Sequence, residues 1–282
     1  MWSIGIYAGE SPFQLLPHPR VANPVLTAGH VTDVSAEFVA DPFMIRRDGT
    51  WHMFFEVMNR QTQRGEIGLA QSEDGLDWSY RQIVLAEPFH LSYPYVFEWE
   101  GEHYMIPETL GANAVRLYRA TRFPTEWACA GALFEGTFAD PSIFHFEDHW
   151  WLFACSTPYR HDTLRLFRAG ELSGAWTEHP ASPIVEEDKR SARPGGRVLV
   201  KDHRVTRFSQ VCFPSYGSQV RAFEIRELAG ASYREEEHPH SPVLRGSGRG
   251  WNAVGMHHVD PHPLADGRWL ACVDGLSELP ER

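Results

Sequence analysis

The chain contains 282 residues, of which 13% are aromatic and 22% are charged. This length suits one closed all-β domain, and the high aromatic content argues against disorder. The formal net charge is −11, and no run of Lys and Arg offsets it, which argues against a nucleic-acid partner or an anionic membrane surface. We therefore expect a single folded domain over residues 1–282 that binds a neutral or cationic small ligand.

The four cysteines are far apart in the sequence, without the spacing of metal ligands or of a secreted disulfide scaffold. Residues 1–19 contain no basic segment followed by an apolar one, and no apolar run reaches the length of a membrane span. These features predict a soluble, cytoplasmic protein, although a signal peptide that had been removed would leave no trace.

Five segments of the chain share one pattern, a short strand, a polar turn and an aromatic or apolar returning strand. They begin at Asp41, Tyr93, Asp140, Arg193 and His258. A third strand is predicted in four units, over residues 67–70, 115–119, 164–168 and 220–225. The units recur about every fifty residues, a period typical of propeller blades.

The fifth unit has no third strand of its own, because the sequence ends soon after Gly275. Residues 3–7 resemble the third strand at 164–168, so we expect the N-terminal strand to complete the last blade. The predicted fold is an all-β, five-bladed β-propeller whose ring is closed by the N-terminal strand, which leaves few exposed sheet edges. The alternative is a β-sandwich with irregular strands.

The residues that open the five units are predicted to meet at one end of the central channel, because the innermost strand of each propeller blade lines it. Such a polar group suits a ligand rich in hydroxyl groups. Two acidic residues, Glu56 and Glu108, end returning strands and are predicted to reach the same place. A single Asp-Pro pair would be better explained by a turn that orders the start of the strand, so the prediction depends on the repetition.

Two short segments, Asp41-Pro42 and Ala139-Asp140-Pro141-Ser142, resemble the first and third blades of glycoside hydrolases of the furanosidase superfamily. That resemblance implies that Asp41 is a general base or nucleophile and that Asp140 positions or tunes the acid. The fourth blade departs from the pattern. Where these hydrolases carry a Glu-Gly-Pro acid, this sequence has Ala192-Arg193-Pro194, so the usual acid is missing.

A second resemblance covers nearly the whole chain and includes a long, unusual run from His90 to Phe97, His-Leu-Ser-Tyr-Pro-Tyr-Val-Phe. In this respect the sequence is similar to the N-terminal region of plant glucosamine inositolphosphorylceramide transferase and its bacterial relatives. Other matching segments are 23–27, 39–43, 54–56, 105–108, 195–197 and 257–260. The resemblance implies a role connected with glycans without naming a reaction, since sugar transfer by the plant enzymes belongs to a separate C-terminal domain.

Three functions are compatible with these residues. The first is a glycoside hydrolase or transglycosylase that uses two carboxyl groups of different pKa. The second is a glycan-binding module without catalysis, and the third is a transferase that holds an anionic donor with Arg193 or Arg197. For the first, the expected catalytic residues are Asp41, Glu108, Asp140 and His258, with Glu56 as another possible acid. The expected substrate-binding residues are Glu56, His90, Tyr93, Arg193, Arg197 and Asp260.

We expect a carbohydrate or glycoconjugate as the partner and no cofactor. Side chains alternate along a strand, so His258, Asp260 and His262 are predicted to share a face on which a structural ion in the channel could bind. By the same alternation His257 is predicted to point away. No metal ligand is assigned.

Overall fold

A computed structural model of the chain describes residues 1–278. It is built almost entirely of strands arranged in five sheets. The exceptions are three short 3-10 helices, Ala28–His30, Leu110–Ala112 and Gly250–Asn252. None of the helices in the described range is long and apolar enough to cross a membrane. The predicted five-bladed propeller is therefore confirmed.

Each sheet is one blade, with its strands ordered from the channel outward. Blade 1 contains β3 (Ala36–Arg47), β4 (Thr50–Asn59), β5 (Arg64–Ser72) and β6 (Ser79–Leu85). Blade 2 contains β7 (Ser92–Trp99), β8 (Glu102–Glu108), β9 (Ala114–Arg122) and β10 (Glu126–Glu135). Blade 3 contains β11 (Ala139–Phe146), β12 (His149–Cys155), β13 (Leu164–Ala169) and β14 (Thr177–Glu178).

Blade 4 is the irregular one, because its inner and outer edges are each divided. Its strands are β15 (Arg193–Pro194), β16 (Leu199–Lys201), β17 (Arg204–Gln210), β18 (Gln219–Leu228), β19 (Tyr233–Glu237) and β20 (Leu244–Arg245). Both β15 and β16 pair with β17, and both β19 and β20 pair with β18. The inner edge is interrupted at Gly195 and Gly196, where the chain approaches blade 5 closely enough for Gly196 to form a parallel bridge with Val259.

Blade 5 joins the two ends of the chain. From the channel outward it contains β21 (Val259–Pro263), β22 (Trp269–Leu276), β1 (Trp2–Ser11) and β2 (Gln14–Pro17). The register between β1 and β22 is regular from Trp2, opposite Leu276, to Gly9, opposite Trp269. Closure of the ring by the N-terminal strand is confirmed, and the N-terminal segment supplies a fourth strand as well as the third.

The core lies between the blades, where alternate residues of the strands face the neighbouring sheet. Phe43, Phe54, Leu69, Val96 and Met105 are fully buried where blades 1 and 2 pack together. Burial of such a side chain contributes about 1.5–3 kcal/mol to stability. This packing fixes the inner strands and, with them, the residues at the start of each strand.

Candidate functional site

Three of the residues predicted to open the repeats share an unusual backbone conformation. Asp41, Tyr93 and Asp140 have φ angles of 52°, 49° and 52°, and each precedes a proline. In each blade the pairing register shifts at this point, as in a β-bulge. A side chain in the left-handed region costs on the order of 1–3 kcal/mol, and such residues are concentrated at functional sites. The bulge turns these side chains away from the regular alternation of the strand.

The first group of interacting charges, called the Asp41 group, contains Asp41, His257 and Asp274. Nδ1 of His257 lies 2.6 Å from Oδ2 of Asp274, and its Nε2 lies 3.7 Å from Oδ1 of Asp41. All three residues are buried. The His257 ring stacks on Trp2 of β1 with a centroid distance of 4.0 Å, so the N-terminal strand holds this imidazole in place.

The two partners in this ion pair stabilise each other's charge. Burial alone would lower the pKa of His257, but the Asp274 carboxylate outweighs it and raises the pKa to about 9. In the same way, burial would raise the pKa of Asp274, but His257 holds it below its usual range. At neutral pH the pair is an imidazolium and a carboxylate.

Asp41 has a different electrostatic environment. Burial is the main reason why the pKa of Asp41 lies well above its usual range, and the charge on His257 opposes the shift. Three carboxylates from different blades reinforce it, those of Glu56, Asp274 and Asp140. A carboxylate with a raised pKa is a stronger base than an ordinary aspartate.

The second group of charges, called the Arg193 group, contains Glu108, Asp140 and Arg193. Nε of Arg193 donates to Oδ2 of Asp140 at 2.6 Å, and its NH2 group donates to Oε2 of Glu108 at 3.4 Å. Gln210 also donates to Oδ2 of Asp140, at 2.9 Å. Burial, together with repulsion from the Asp140 carboxylate, raises the pKa of Glu108 to about 8. Glu108 is therefore largely protonated at neutral pH.

The Asp41 group and the Arg193 group contain equivalent hydrogen bonds. The backbone N–H of Asp41 donates to Oδ2 of Asp274 at 3.2 Å, and the backbone N–H of Asp140 donates to Oε2 of Glu108 at 3.2 Å. In both cases an acidic residue at the end of a second strand binds the amide of the left-handed aspartate in the next blade. A cation, His257 or Arg193, then contacts both acids.

Tyr216 connects the Asp41 group and the Arg193 group. Its ring lies 5.3 Å from the Arg193 guanidinium and 5.4 Å from the His257 ring. Tyr216 is 40% exposed, so it stands at the mouth of the site. The two groups therefore lie close together at the start of the inner strands, with the partly exposed Tyr216 ring next to both.

Glu56 and His90 form a separate pair, and Glu56 is close enough to Asp41 to affect its pKa. Nε2 of His90 lies 3.2 Å from Oε1 of Glu56, and the backbone N–H of Gly65 donates to Nδ1 at 2.8 Å. Because Nδ1 accepts a hydrogen bond, the ring proton of the neutral imidazole is on Nε2 and points to Glu56. The His90 side chain is 42% exposed, so it can contact a ligand.

Tyr93 was expected to bind substrate, but the structure places it inside the protein. It is fully buried. Its hydroxyl accepts from the backbone N–H of Gly196 at 2.7 Å and bonds to Ser142 Oγ at 2.8 Å. Tyr93 therefore ties blades 2, 3 and 4 together and has no surface to offer a ligand.

His258 does not have the properties expected of a proton donor. It is fully buried between Phe43 and Tyr93, and burial lowers its pKa to about 4. The imidazole is therefore neutral at physiological pH. The cationic histidine of the site is its neighbour His257.

Arg197 and Asp260 were also expected to bind substrate, but they pair with each other. Nε of Arg197 lies 2.5 Å from Oδ1 of Asp260. Arg197 also donates to the carbonyl groups of Val96 and Met44, and Oδ2 of Asp260 accepts from the backbone N–H of Met44. The pair joins the inner strands of blades 1, 2 and 5 and is separate from the Asp41 and Arg193 groups.

One set of residues has the geometry to hold a metal ion. Asp41, His257 and Asp274 each offer a ligand atom, and these atoms lie within 4.8 Å of one another. The ion pair between His257 and Asp274 already satisfies the charges there. The ion predicted near His258, Asp260 and His262 stays a prediction; in the structure His262 contacts Asp260 through Nε2 at 2.9 Å.

Sequence reasoning missed three residues of the site, His257, Asp274 and Tyr216. A signal was available for Asp274, which lies in the last part of the second strand of its blade, as Glu56 and Glu108 do. His257 was expected to point away, but β21 begins only at Val259, so strand alternation does not extend to it. Tyr216 lies in a loop, where no periodic pattern exists.

The fold and the site together define a five-bladed β-propeller with a buried acidic site at one end of its channel. The chain belongs to the family described as glucosamine inositolphosphorylceramide transferase 1, N-terminal, whose model matches residues 1–276. The resemblance noted in the sequence is confirmed.

The curated relatives carry the name of the same family, and they are longer than this chain. The chain is 38% identical over 301 residues to glucosamine inositolphosphorylceramide transferase 1 of Oryza sativa subsp. japonica, covering 97% of this chain and 40% of the relative. It is 35% identical over 296 residues to the Arabidopsis thaliana protein of the same name, covering 97% of this chain and 39% of that protein. The chain thus spans about 40% of the length of these relatives.

Solved structures with the same fold include glycoside hydrolases. The catalytic domain of the Coprinopsis cinerea GH62 α-L-arabinofuranosidase superposes with a TM-score of 0.64 at 11% identity, over 97% of this chain and 96% of that one. A putative glycoside hydrolase from Parabacteroides distasonis superposes with a TM-score of 0.68 at 11% identity, over 96% and 99%. At this identity the likeness shows the fold alone.

Proposed function

We propose that this protein is carbohydrate-active and that it cleaves or transfers a glycoside at the site formed by the Asp41 group and the Arg193 group. Asp41 is the base and Glu108 is the acid. The observation that carries the proposal is that each of these buried carboxyl groups lies next to a cation, Asp41 next to His257 and Glu108 next to Arg193. Among residues 1–278, the side-chain contacts of Asp41 are made through Oδ1, and those of Glu108 through Oε2.

Each role requires a particular protonation state. Glu108, with a pKa of about 8, holds a proton at neutral pH and can donate it from Oε1. Burial raises the pKa of Asp41 well above its usual range, so only its ionised form, which the charge on His257 favours, can act as the base. Glycoside cleavage requires one protonated and one ionised carboxyl group.

The reaction would proceed as an acid–base exchange at the anomeric carbon. Water, or the hydroxyl group of an acceptor, attacks that carbon and gives its proton to Asp41. The bond to the leaving oxygen breaks as Glu108 transfers its proton to that oxygen. The products are a free alcohol and either a reducing sugar or a new glycoside, and the proton on Asp41 returns to Glu108 through solvent.

The names of the relatives agree with a carbohydrate substrate. The similar solved structures include an arabinofuranosidase and other glycoside hydrolases, whereas the curated relatives are named as a transferase. Both classes handle glycosidic bonds, so these names support the substrate class more strongly than they support hydrolysis over transfer.

A second candidate function is glycan binding without catalysis. It is favoured by Arg193, which stands where the related hydrolases carry their acid and, with Gln210, engages both oxygens of Asp140. The transferase with an Arg-held anionic donor has less support. The nitrogens of Arg193 already donate to Asp140, Glu108, His161 and the carbonyl of Pro158.

Turnover of nitrophenyl furanosides and pyranosides, followed by release of nitrophenol, tests the proposal. Asp41→Asn and Glu108→Gln keep the side-chain shapes and should each lower kcat/KM at least about 100-fold while sparing sugar binding. Glu102→Gln is the matched control, because Glu102 is on the protein surface with a side chain 45% exposed. Near-normal turnover by Asp41→Asn would contradict the mechanism. Sugar binding without cleavage of any glycoside would favour the binding module.

A further inference from the structure

The opposite end of the channel contains a second cavity. The inner strands of the blades run in the same direction, so their last residues meet at the end remote from Asp41 and Arg193. There the ends of β7, β11, β16 and β21 line a cavity of about 380 Å³, which we name the aromatic cup. Its size falls in the range of roughly 300–1,000 Å³ that is common for small-molecule sites.

The walls of the aromatic cup are formed by rings in mutual contact. The ring centroid of Trp99 lies 4.8 Å from that of Trp150, which it meets edge-on, and 4.7 Å from that of His145. The ring centroids of Phe97 and Trp150 are 5.6 Å apart. Phe97, Trp99 and His145 are only partly buried, so part of each ring is in contact with solvent.

Two indole groups of the cup lack hydrogen-bond partners. Within residues 1–278, the indole N–H donates to a backbone carbonyl in Trp78, Trp127, Trp151 and Trp176 and in no other tryptophan. Among residues 1–278, the indole nitrogens of Trp99 and Trp150 have no acceptor. Trp150 is only 4% exposed, but its indole nitrogen is not one of the buried side-chain nitrogens that lack a partner. This N–H therefore reaches solvent at the cup and can donate to a ligand there.

The charges around the cup favour a neutral ligand. Arg197 lies at the cup, but its guanidinium is neutralised by Asp260 and donates to backbone carbonyls. Glu98 stands at the rim with a side chain 51% exposed. Oε2 of Glu98 lies 3.6 Å from Nε2 of His103, and the exposed carboxylate repels anions and can accept hydrogen bonds from hydroxyl groups.

We propose that the aromatic cup is a second binding site, and that its ligand is a neutral monosaccharide unit, free or at the end of a glycan. The apolar face of the sugar ring packs on Trp99, its hydroxyl oxygens accept from the unpaired indole N–H groups, and another hydroxyl donates to Glu98. This site shares no residue with the Asp41 or Arg193 group, so it exists whether or not the proposed reaction takes place.

Indole N–H signals in ¹H–¹⁵N spectra of the full chain provide a direct test. The probes are the methyl glycosides of glucose, mannose, galactose and N-acetylglucosamine, each titrated separately. At least one should shift the signals of Trp99 and Trp150 and leave those of Trp78, Trp127 and Trp176 in place. Assignment comes from Trp99→Phe and Trp150→Phe.

Two variants separate the cup from the first site. Val200→Arg fills the cup from a position that is already 44% exposed, so the fold should tolerate it, and Trp99→Ala removes the stacking face. The sugar titration is followed through the Trp99 or Trp150 signal that the variant retains. In each variant the Kd from this titration should rise on the order of tenfold. Asp41→Asn should leave them unchanged.

Two outcomes would overturn the proposal. One is a titration in which none of the four glycosides moves the Trp99 or Trp150 signal. The other is a set of shifts that survives Val200→Arg but is lost in Asp41→Asn, which would assign the binding to the first site. Failure of glycoside turnover does not affect this result, because the measurement requires binding alone.

Discussion

Replacement of Arg193 by Met should destabilise the protein strongly at neutral pH. Met keeps much of the length and apolar volume of the side chain, so the change mainly removes the guanidinium. Asp140 would lose its contact at 2.6 Å and Glu108 its contact at 3.4 Å. The Arg193 side chain is only 10% exposed, and water cannot readily replace it.

The expected loss in the free energy of unfolding is about 3–5 kcal/mol, the usual cost of breaking a buried ion pair from one side. Most of it arises from the Asp140 carboxylate, because Glu108 can stay protonated. The double variant Arg193→Met/Asp140→Asn removes the unpaired charge, and should therefore recover about 1–3 kcal/mol relative to the single variant.

Urea denaturation at pH 7, followed by tryptophan fluorescence, measures these differences. Arg119→Met is the control, because its ion pair with Glu102 lies on the surface and its loss should change stability little. A loss below about 1 kcal/mol in Arg193→Met, or a double variant no more stable than the single one, would refute the idea that Arg193 is required to compensate Asp140.

Further predictions concern pH and packing. The pKa of His257 is about 9 in the folded protein and about 6.5 in the unfolded chain. Its contribution to stability is therefore complete below about pH 6.5 and is lost as the pH rises through about 9. Asp274→Asn should reduce this loss of stability at alkaline pH, measured by urea denaturation. Burial lowers the pKa of His52 to about 4, so stability should fall as the pH drops from about 6.5 towards 4, and His52→Gln should reduce that slope. Tyr93→Phe leaves the backbone groups of Gly196 unpaired and should cost about 1–3 kcal/mol by denaturation; an unchanged midpoint would disprove the structural role. Gly196→Ala should give no soluble folded protein, because φ is +141° and the added Cβ would lie 1.8 Å from the carbonyl oxygen of Val259; a normal yield with a native circular dichroism spectrum would contradict this.

The fold could be predicted because each blade repeats a local pattern of two hairpin strands and a third strand. The incomplete fifth unit also indicated that residues near the N-terminus must supply the missing strand. The divided strands of blade 4 could not be foreseen. They depend on the close approach of Gly196 to Val259, a contact between segments distant in the sequence.

The site was partly predictable for a related reason. Repetition indicated Asp41 and Asp140, and the ends of the second strands indicated Glu56 and Glu108. A single sequence does not show how deep inside the channel a residue lies, so the burial of Tyr93 could not be predicted. The sequence pattern also did not reveal that Arg197 would pair with Asp260 rather than face a ligand.

The closure of the ring sets the order in which the site can be assembled during synthesis. Among the strands of the propeller, β1 is synthesised first and β22 last, so β1 cannot pair with β22 until the other four blades have been made. During that time β1 has an unpaired edge that could associate with another chain. His257 and Asp274 also emerge late, and Trp2 can stack on His257 only after closure. We therefore expect the Asp41 group to form in the last step of folding, so that ligand binding at this site reports a completed ring.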